Sequence, residues 1–419
     1  MNRQPLPLAG FRVVDYSHFL AGPYLSRCLA ALGADVIKVE RPTTGDAGRQ
    51  HAYFIDGQSG YFLQQNMGKK GLCINLKDPR GLEMMHRLTD AADVFVENYR
   101  PGALGKLGLG YEELSARNPG LVCSVSAYGH TGPDSHRAGF GLIAEAKSGI
   151  MAMVGSPGEA PPLLRIALGD MYTGVHGVAS VCAALLGRVK SGRGQHIDLA
   201  LYDCLVSMHE YAVQCYTLSG GREIPVQTGD DLPYSTLYGV FTAQDGHLVI
   251  AAQVDDAWKR FARLVGGEAF ASETRFHSAQ GRNDHRLEIL PRVRTWVGER
   301  TVTQCLAELR VRRRGLREGA DDRRRPRRPQ IAERRMVIEQ EHPLLGKVRL
   351  PNLPFRFSEC DTTQTVPAPL LGQHNREIAA ELGYSGDEID AMVGDGVLYA
   401  EEAVARVTSS VVPGSTVSR

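Results

Sequence analysis

No stretch of this chain runs for the ~18 uninterrupted apolar residues that a membrane-spanning helix needs, and no basic-then-apolar leader opens it. No membrane partner is expected. Neither sign of charge is in excess: 48 Lys and Arg stand against 47 Asp and Glu, a net charge of +1, so the chain lacks the global basic field that nucleic-acid binding requires. The eight cysteines, at 28, 73, 123, 182, 204, 215, 305 and 360, include no CxxC pair and no Cys/His ligand spacing. They read as reduced core thiols, which implies no metal site and a cytoplasmic location. A GxGxxG turn is also missing after the first strand, so the glycines that let a pyrophosphate approach a helix are absent and a dinucleotide-binding reading is weak. What remains is 419 residues with 43% hydrophobic and 23% charged content, enough for one large soluble domain plus a smaller one.

The apolar pattern alternates from the start. Phe11 to Tyr16 reads as a buried strand, and Gly22-Pro23 opens a helix that runs to Leu32 and stops at Gly33. Val36 to Glu40 is the next strand, which makes a βαβ unit and so implies parallel pairing. The series continues with a strand at Gly71–Leu76, a helix at Pro79–Ala91, a strand at Val94–Val96, a short helix at Tyr111–Arg117 and a strand at Leu121–Ser126. Such a doubly wound α/β sheet binds ligands at the carboxyl ends of its strands, which directs attention to the loops at 17–21, 41–46, 98–106 and 128–141.

The chain is organised around Arg165 to Asp203. A short apolar run, Ile166 to Leu168, reads as a strand ending at Gly169-Asp170, followed by an Ala-, Val- and Leu-rich helix containing Gly174 and Gly177 and ending near Gly187. Taken alone, a carboxylate at such a junction also serves as an ordinary N-cap. The helix, however, is followed by the turn Ser191-Gly192-Arg193-Gly194-Gln195 and a short strand from His196 to Leu199. Gly-Asp, an alanine-rich helix and a (S/T)GxGQ turn together resemble the central signature of the class III CoA-transferase family, which includes formyl-CoA and carnitinyl-CoA transferases. The segments at 15–23, 36–46, 74–81, 96–114 and 368–378 are similar to other blocks of that family, so the resemblance covers nearly the whole chain.

The resemblance implies a fold, a partner set and a site. The fold is α/β, with a Rossmann-like parallel sheet in a large domain built from both chain ends and a smaller α+β domain between, in an interlocked homodimer. The expected parts are a large domain over 1–218, a linker over 219–232, a small domain over 233–340, a return to the large domain over 341–400, and a flexible tail over 401–419. By the same resemblance Asp170 is the nucleophile, and coenzyme A is held by His18, Leu20, Ala21, Arg41, Ile74, Asn75, Leu76, Lys77, Asn98, Tyr99, Lys106 and Arg137. Leu20 stands where formyl-CoA transferase has glutamine. No cofactor is bound permanently; acyl-CoA and a free carboxylic acid are substrates. Read physically, Arg41 and Lys106 suit phosphates and Tyr99 suits stacking, while His18 has no acid–base role.

Three functions are weighed. In a CoA-transferase Asp170 alone suffices, forming first a mixed anhydride and then an aspartyl-CoA thioester. The related α-methylacyl-CoA racemases need a second proton carrier, a histidine in a Gly-His-Asp run, where this chain has Gly139-Phe140-Gly141. The third is a CoA-binding protein without turnover, inactivated by an altered 310–329 segment. That segment holds ten arginines and fits neither its flanks nor the family. Family members carry an apolar stretch there, and Pro329-Gln330-Ile331 resumes the family pattern. The segment is therefore read as the product of a compensated pair of frameshifts, and is expected to pack poorly while the sheet around Asp170 stays intact.

Overall fold

The computed structural model describes residues 4–404 apart from 233, 253, 311–315 and 318–328. Most of the arginine-dense 310–329 segment and residues 405–419 of the expected tail thus lie outside the described residues. The chain divides into two compact units, the larger made of Met1–Ile150, Leu164–Val213 and Pro326–Arg419, the smaller of Met151–Leu163 and Gln214–Arg325.

The larger unit opens with strand β1 (Arg12–Tyr16), helix α1 (Ala21–Ala31) and β2 (Asp35–Glu40). A small hairpin of β3 (Phe54–Ile55) and β4 (Gln58–Ser59) leads into α2 (Gly60–Gln65). Then follow β5 (Lys70–Cys73), α3 (Pro79–Asp90), β6 (Val94–Glu97), α4 (Tyr111–Arg117), β7 (Leu121–Ser126), α5 (Gly141–Lys147), α6 (Leu168–Ser191), β8 (His196–Ala200) and α7 (Leu201–Met208). Six of these strands form one sheet in the order β5-β2-β1-β6-β7-β8, parallel throughout. The chain works outward from β1 to β2 and β5, then returns to place β6 on the other flank of β1. The order reverses between β1 and β6, so the connections after their carboxyl ends lead to opposite faces of the sheet and leave a crevice.

Both faces of the sheet are covered, which explains why its strands read as continuous apolar runs. Val14, Ile37, Leu72 and Phe95 pack on Met84, Met85 and Leu88 of α3 on one face. Their neighbours Val13, Val36, Val94 and Val96 pack on Leu25 and Leu29 of α1 and Val181 and Leu185 of α6 on the other. Helices α1 and α6 approach closely because α6 carries glycine where they meet: a Cβ on Gly177 would stand 2.1 Å from Leu25 Cδ1. The expected end of α6 near Gly187 is overrun to Ser191, where Gly192 takes φ 71° and stops it.

The smaller unit holds the hairpin β9 (Tyr238–Ala243) and β10 (Gly246–Ala251), with β11 (Leu316–Arg317) paired through its backbone to β10. Helix α8 (Ala212–Leu218) precedes the hairpin; α9 (Asp255–Ala271, kinked at Gly267), α10 (Ala279–Asp284), α11 (Arg286–Gly298) and α12 (Val302–Arg310) follow it. Trp258, Phe261 and Trp296 anchor its core. The chain re-enters the larger unit through α13 (Pro329–Glu333), the hairpin β12 (Val337–His342) and β13 (Gly346–Pro351), α14 (Asn375–Glu381) and α15 (Gly386–Gly394). This C-terminal part closes the sheet edge at β5. His374 Nδ1 accepts from Gly71 N at 2.9 Å, and Asn375 Oδ1 accepts from Cys73 N at 2.8 Å, so the edge's N–H groups are not left open.

Candidate active site

The crevice between β1 and β6 is built on buried charge. Asp15, in β1, accepts hydrogen bonds from Ser17 N at 3.0 Å, Ser26 Oγ at 2.7 Å and Lys69 Nζ at 2.9 Å. Burial opposes its ionisation, but Lys38 and Lys69 outweigh that and hold it below the usual carboxylate range. Lys38 donates to Ser17 O and pairs with Asp46 at 2.9 Å, and Asp46 accepts from Phe19 N at 3.0 Å. These contacts fix the turn after β1, in which Phe19 holds a left-handed φ of 64° that a side chain adopts only when its surroundings impose it. From the β6 side, Asn98 Oδ1 accepts from His18 N at 2.8 Å and Asn98 Nδ2 donates to His18 O at 2.7 Å. The two loops flanking the switch point are thus tied to each other. The His18 ring meets Tyr99 edge-on at 5.0 Å, and burial lowers its pKa, favouring the neutral imidazole.

The approach to Asp170 differs from the sequence expectation. Ile166–Leu168 is not a strand: Arg165 turns the chain with φ 56°, Ile166 is 67% exposed, and α6 begins at Leu168. A run this short and this exposed has no sheet neighbour to pair with. Asp170 consequently lies inside the first turn, and the N-cap is Ala167, which makes no side-chain cap. Asp170 is therefore not the N-cap, although its carboxylate takes its own backbone N–H within that turn. Its carboxylate lies against the start of α5, where a Cβ on Gly141 would stand 2.1 Å from Asp170 Oδ2. Burial foremost, and then Glu145, raise its pKa to about 6.

Asp170 lines a cleft of about 430 Å³ together with His18, Phe19, Ala21, Asn98, Tyr99, Arg100, Arg137 and Phe140, among others. Its walls are mainly apolar, and its lining includes the two exposed arginines Arg100 and Arg137. His18, Phe19 and Tyr99 also border a hollow of about 320 Å³ lined by Arg41, Glu40 and Asp46. The expected residues Asp170, His18, Ala21, Asn98, Tyr99 and Arg137 come together in the first space, and Arg41 joins His18 and Tyr99 in the second. Leu20 is buried in the core beside Tyr24 and Cys28. Ile74 is buried, Asn75 and Leu76 are half-buried, Lys77 and Lys106 are exposed, and none of these lines either space. Sequence reasoning did not single out Arg100 or Glu145, and named Gly141 only within the run Gly139-Phe140-Gly141, with no role of its own. Arg100 follows directly on the Asn98-Tyr99 pair, which could have signalled it; Glu145 carries no local signal.

A raised carboxyl pKa has a stability consequence of definite sign. The folded chain binds the Asp170 proton more tightly than the unfolded chain, so the stability contributed by the protonated group is fully present below the unfolded value of 3.8 and lost as pH rises through about 6. Ionising it in place costs on the order of 3 kcal/mol. Asp170→Asn, which cannot ionise, is therefore expected to melt above wild type at about pH 8, by up to that amount, and level with it at about pH 4. Urea or thermal unfolding at the two pH values checks this, and an offset independent of pH would contradict it.

Residues 8–375 match the family described as CoA-transferase family III. The chain is 34% identical to a mouse (Mus musculus) succinyl-CoA:glutarate CoA-transferase, over 94% of this chain and 91% of that protein. It is likewise 34% identical to a Chloroflexus aurantiacus succinyl-CoA--D-citramalate CoA-transferase, over 93% and 97%. The fold matches the crystal structure of a CAIB/BAIF family protein from Brucella suis with a TM-score of 0.78 and 32% identity, covering 90% of this chain and all of that one.

Proposed function

Because the chain belongs to CoA-transferase family III and is a CoA-transferase, we propose that it moves CoA from an acyl-CoA donor to a free carboxylic acid through covalent intermediates on Asp170. The observation that carries this reading is a largely buried carboxylate lining a mostly apolar cleft, raised to about 6 and still ionised at neutral pH. Asp170 attacks the thioester carbonyl, the C–S bond breaks, and CoA leaves as thiolate, giving an acyl-aspartyl anhydride. The thiolate then attacks the aspartyl carbonyl and expels the donor's carboxylate, leaving an aspartyl-CoA thioester. The incoming acid attacks that thioester, releases the thiolate and forms a new anhydride, from which the thiolate takes the new acyl group and frees Asp170. Neither a metal nor a permanent cofactor is needed, since every bond exchange is between carboxylate and thiolate.

In this reading the hollow at Arg41 takes the nucleotide phosphates, Tyr99, Asn98 and His18 line the pantetheine path, and Arg100 and Arg137 offer positive charge along the cleft. Leu20 and Ala21 support that path from the start of α1. Ile74 to Lys77 and Lys106 are carried as contacts of the nucleotide end, on family resemblance. A homodimer is part of the proposal, supported by the exposure of Val175, Leu186 and Val189 along α6. Phe140 has no exchangeable proton, which speaks against two-base racemisation.

The donor and acceptor proposed are succinyl-CoA and a second dicarboxylic acid, the class named for the mouse and Chloroflexus relatives. In a panel of acyl-CoA donors and carboxylate acceptors, succinyl-CoA with a dicarboxylate of four to six carbons is expected to turn over at least ~10-fold faster than any monocarboxylate pair, about the discrimination a single well-placed charge provides. A monocarboxylate acceptor that outpaces every dicarboxylate would sink the assignment of substrate class.

A further inference from the structure

The carboxylate of Glu145 is only 2% exposed, in the middle of α5, and its Oε1 accepts a hydrogen bond from Gly169 N at 3.1 Å. Among the described residues no lysine, arginine or histidine pairs with it; the neighbouring Lys147 is bound to Asp134. A buried carboxylate with one neutral donor is a costly way to satisfy a single N–H, because glutamine would offer the same acceptor oxygen without an unpaired charge. The placement of the charge is what distinguishes the two. Gly169 immediately precedes Asp170, so Glu145 occupies an N–H at the start of α6 that would otherwise be available to quiet a neighbouring carboxylate, and sets its own negative charge beside Asp170.

We infer that Glu145 is a positioning residue for Asp170: its charge keeps the neighbouring carboxylate basic, and the repulsion between the two is relieved when Asp170 becomes acylated. The inference rests on Asp170 being the nucleophile and assigns a role to a residue that never touches the acyl group. Electrostatic repulsion between the two carboxylates exists only while Asp170 is an anion. Attack on a thioester passes that charge to the departing thiolate, so the repulsion raises the ground state and not the acyl-enzyme. The pKa near 6 of Asp170, with burial as its first cause and Glu145 as its second, agrees with this geometry. Tyr61 on α2 also feels Asp170: burial foremost, and then that carboxylate, raise its own pKa, so it stays neutral across the working range. The other elements packed at this point contribute Ala21 from α1 and Leu201 and Leu205 from α7, which do not titrate. His18, Arg100 and Arg137 stand in the same cleft and are common to every variant compared below.

The test is Glu145→Gln, which keeps an acceptor for Gly169 N–H and removes the charge. The acid limb of kcat/KM against pH, expected near 6 in wild type, should move about one unit lower, the shift of a single close like charge. At about pH 8 kcat should fall roughly 10- to 100-fold, with KM for the acyl-CoA changed by less than about threefold, since only the chemical step is affected. Glu145→Asp, which keeps the charge but is too short for the hydrogen bond, should retain the acid limb near 6, and so provides the comparison if the glutamine variant folds poorly. A glutamine variant with wild-type kcat and acid limb, or an aspartate variant whose limb has moved down as far as that expected for glutamine, would overturn the role. Failure of the underlying mechanism is told apart by Asp170→Ala: if that variant still turns over, Asp170 is not the nucleophile, whereas a dead Asp170→Ala beside an unaltered Glu145→Gln removes the positioning role alone.

Discussion

Asp170→Ala is expected to lose CoA transfer by about 10⁴-fold or more, the scale on which removal of a covalent nucleophile acts, while its affinity for CoA stays within about threefold of wild type. The two effects separate because Asp170 does not line the hollow at Arg41, and Arg41, Asn98, Tyr99 and His18 belong to the loops after β1, β2 and β6. Truncation should leave the fold in place, since the surrounding walls are held by the buried cluster of Ala21, Leu201 and Leu205. Wild-type protein mixed with acyl-CoA should in addition yield a hydroxylamine-sensitive adduct on the peptide containing Asp170, and the alanine variant should yield none. Turnover by the variant within about tenfold of wild type, or an adduct on another residue, would end the proposed mechanism.

The second large effect is expected from a residue with no chemistry of its own. A Cβ at Gly141 would lie 2.1 Å from Asp170 Oδ2 and 3.1 Å from Asp170 Cγ, so Gly141→Ala cannot coexist with the carboxylate in its present place. Gly141 opens a helix and does not use the left-handed backbone that only glycine tolerates, so alanine is acceptable to the chain itself and the fold should persist. The carboxylate has to give way, and a displacement of about 1 Å at a reacting atom costs on the order of 100-fold. We expect kcat to fall by at least that factor, with CoA binding and the melting temperature nearly unchanged. Measurement of all three decides it: wild-type kcat in a well-folded Gly141→Ala would show that the carboxylate works from another position.

The strands were legible because burial on both faces leaves no room for polar residues, and β1, β2, β6 and β7 fall within a residue of where the apolar runs place them. Lys70–Cys73 is shorter than expected, as the chain leaves the sheet at Ile74, which makes only a single bridge to Leu398. The failure at Ile166–Leu168 has the same origin in reverse. Three apolar residues resemble a strand in any sequence, but nothing in the pattern says whether a neighbouring strand exists to receive them, and here Ile166 faces solvent. Within the site, the family-like blocks led to the loops after β1 and β6 and to Asp170, while Gly141 and Glu145 had no signature, because a glycine before an apolar turn and a glutamate in a short helix occur everywhere.

By itself, then, the sequence determined the alternation of strands and helices, the parallel character of the sheet, the close meeting of α6 with a neighbour through Gly174 and Gly177, and the Gly-Asp pair that starts that helix. Each of these is a local property, written in periodicity, in turn chemistry or in the absence of a side chain. Only the tertiary structure decided that β6 lies beside β1, so that Asn98 reaches His18, and that the first turn of α5 lies against the first turn of α6, so that Gly141 admits the Asp170 carboxylate and Glu145 stands next to it. Strand order and helix packing join residues far apart in the chain, and the field at Asp170 arises from burial and a second carboxylate brought there by that packing, neither of which has a counterpart in the residues that flank it.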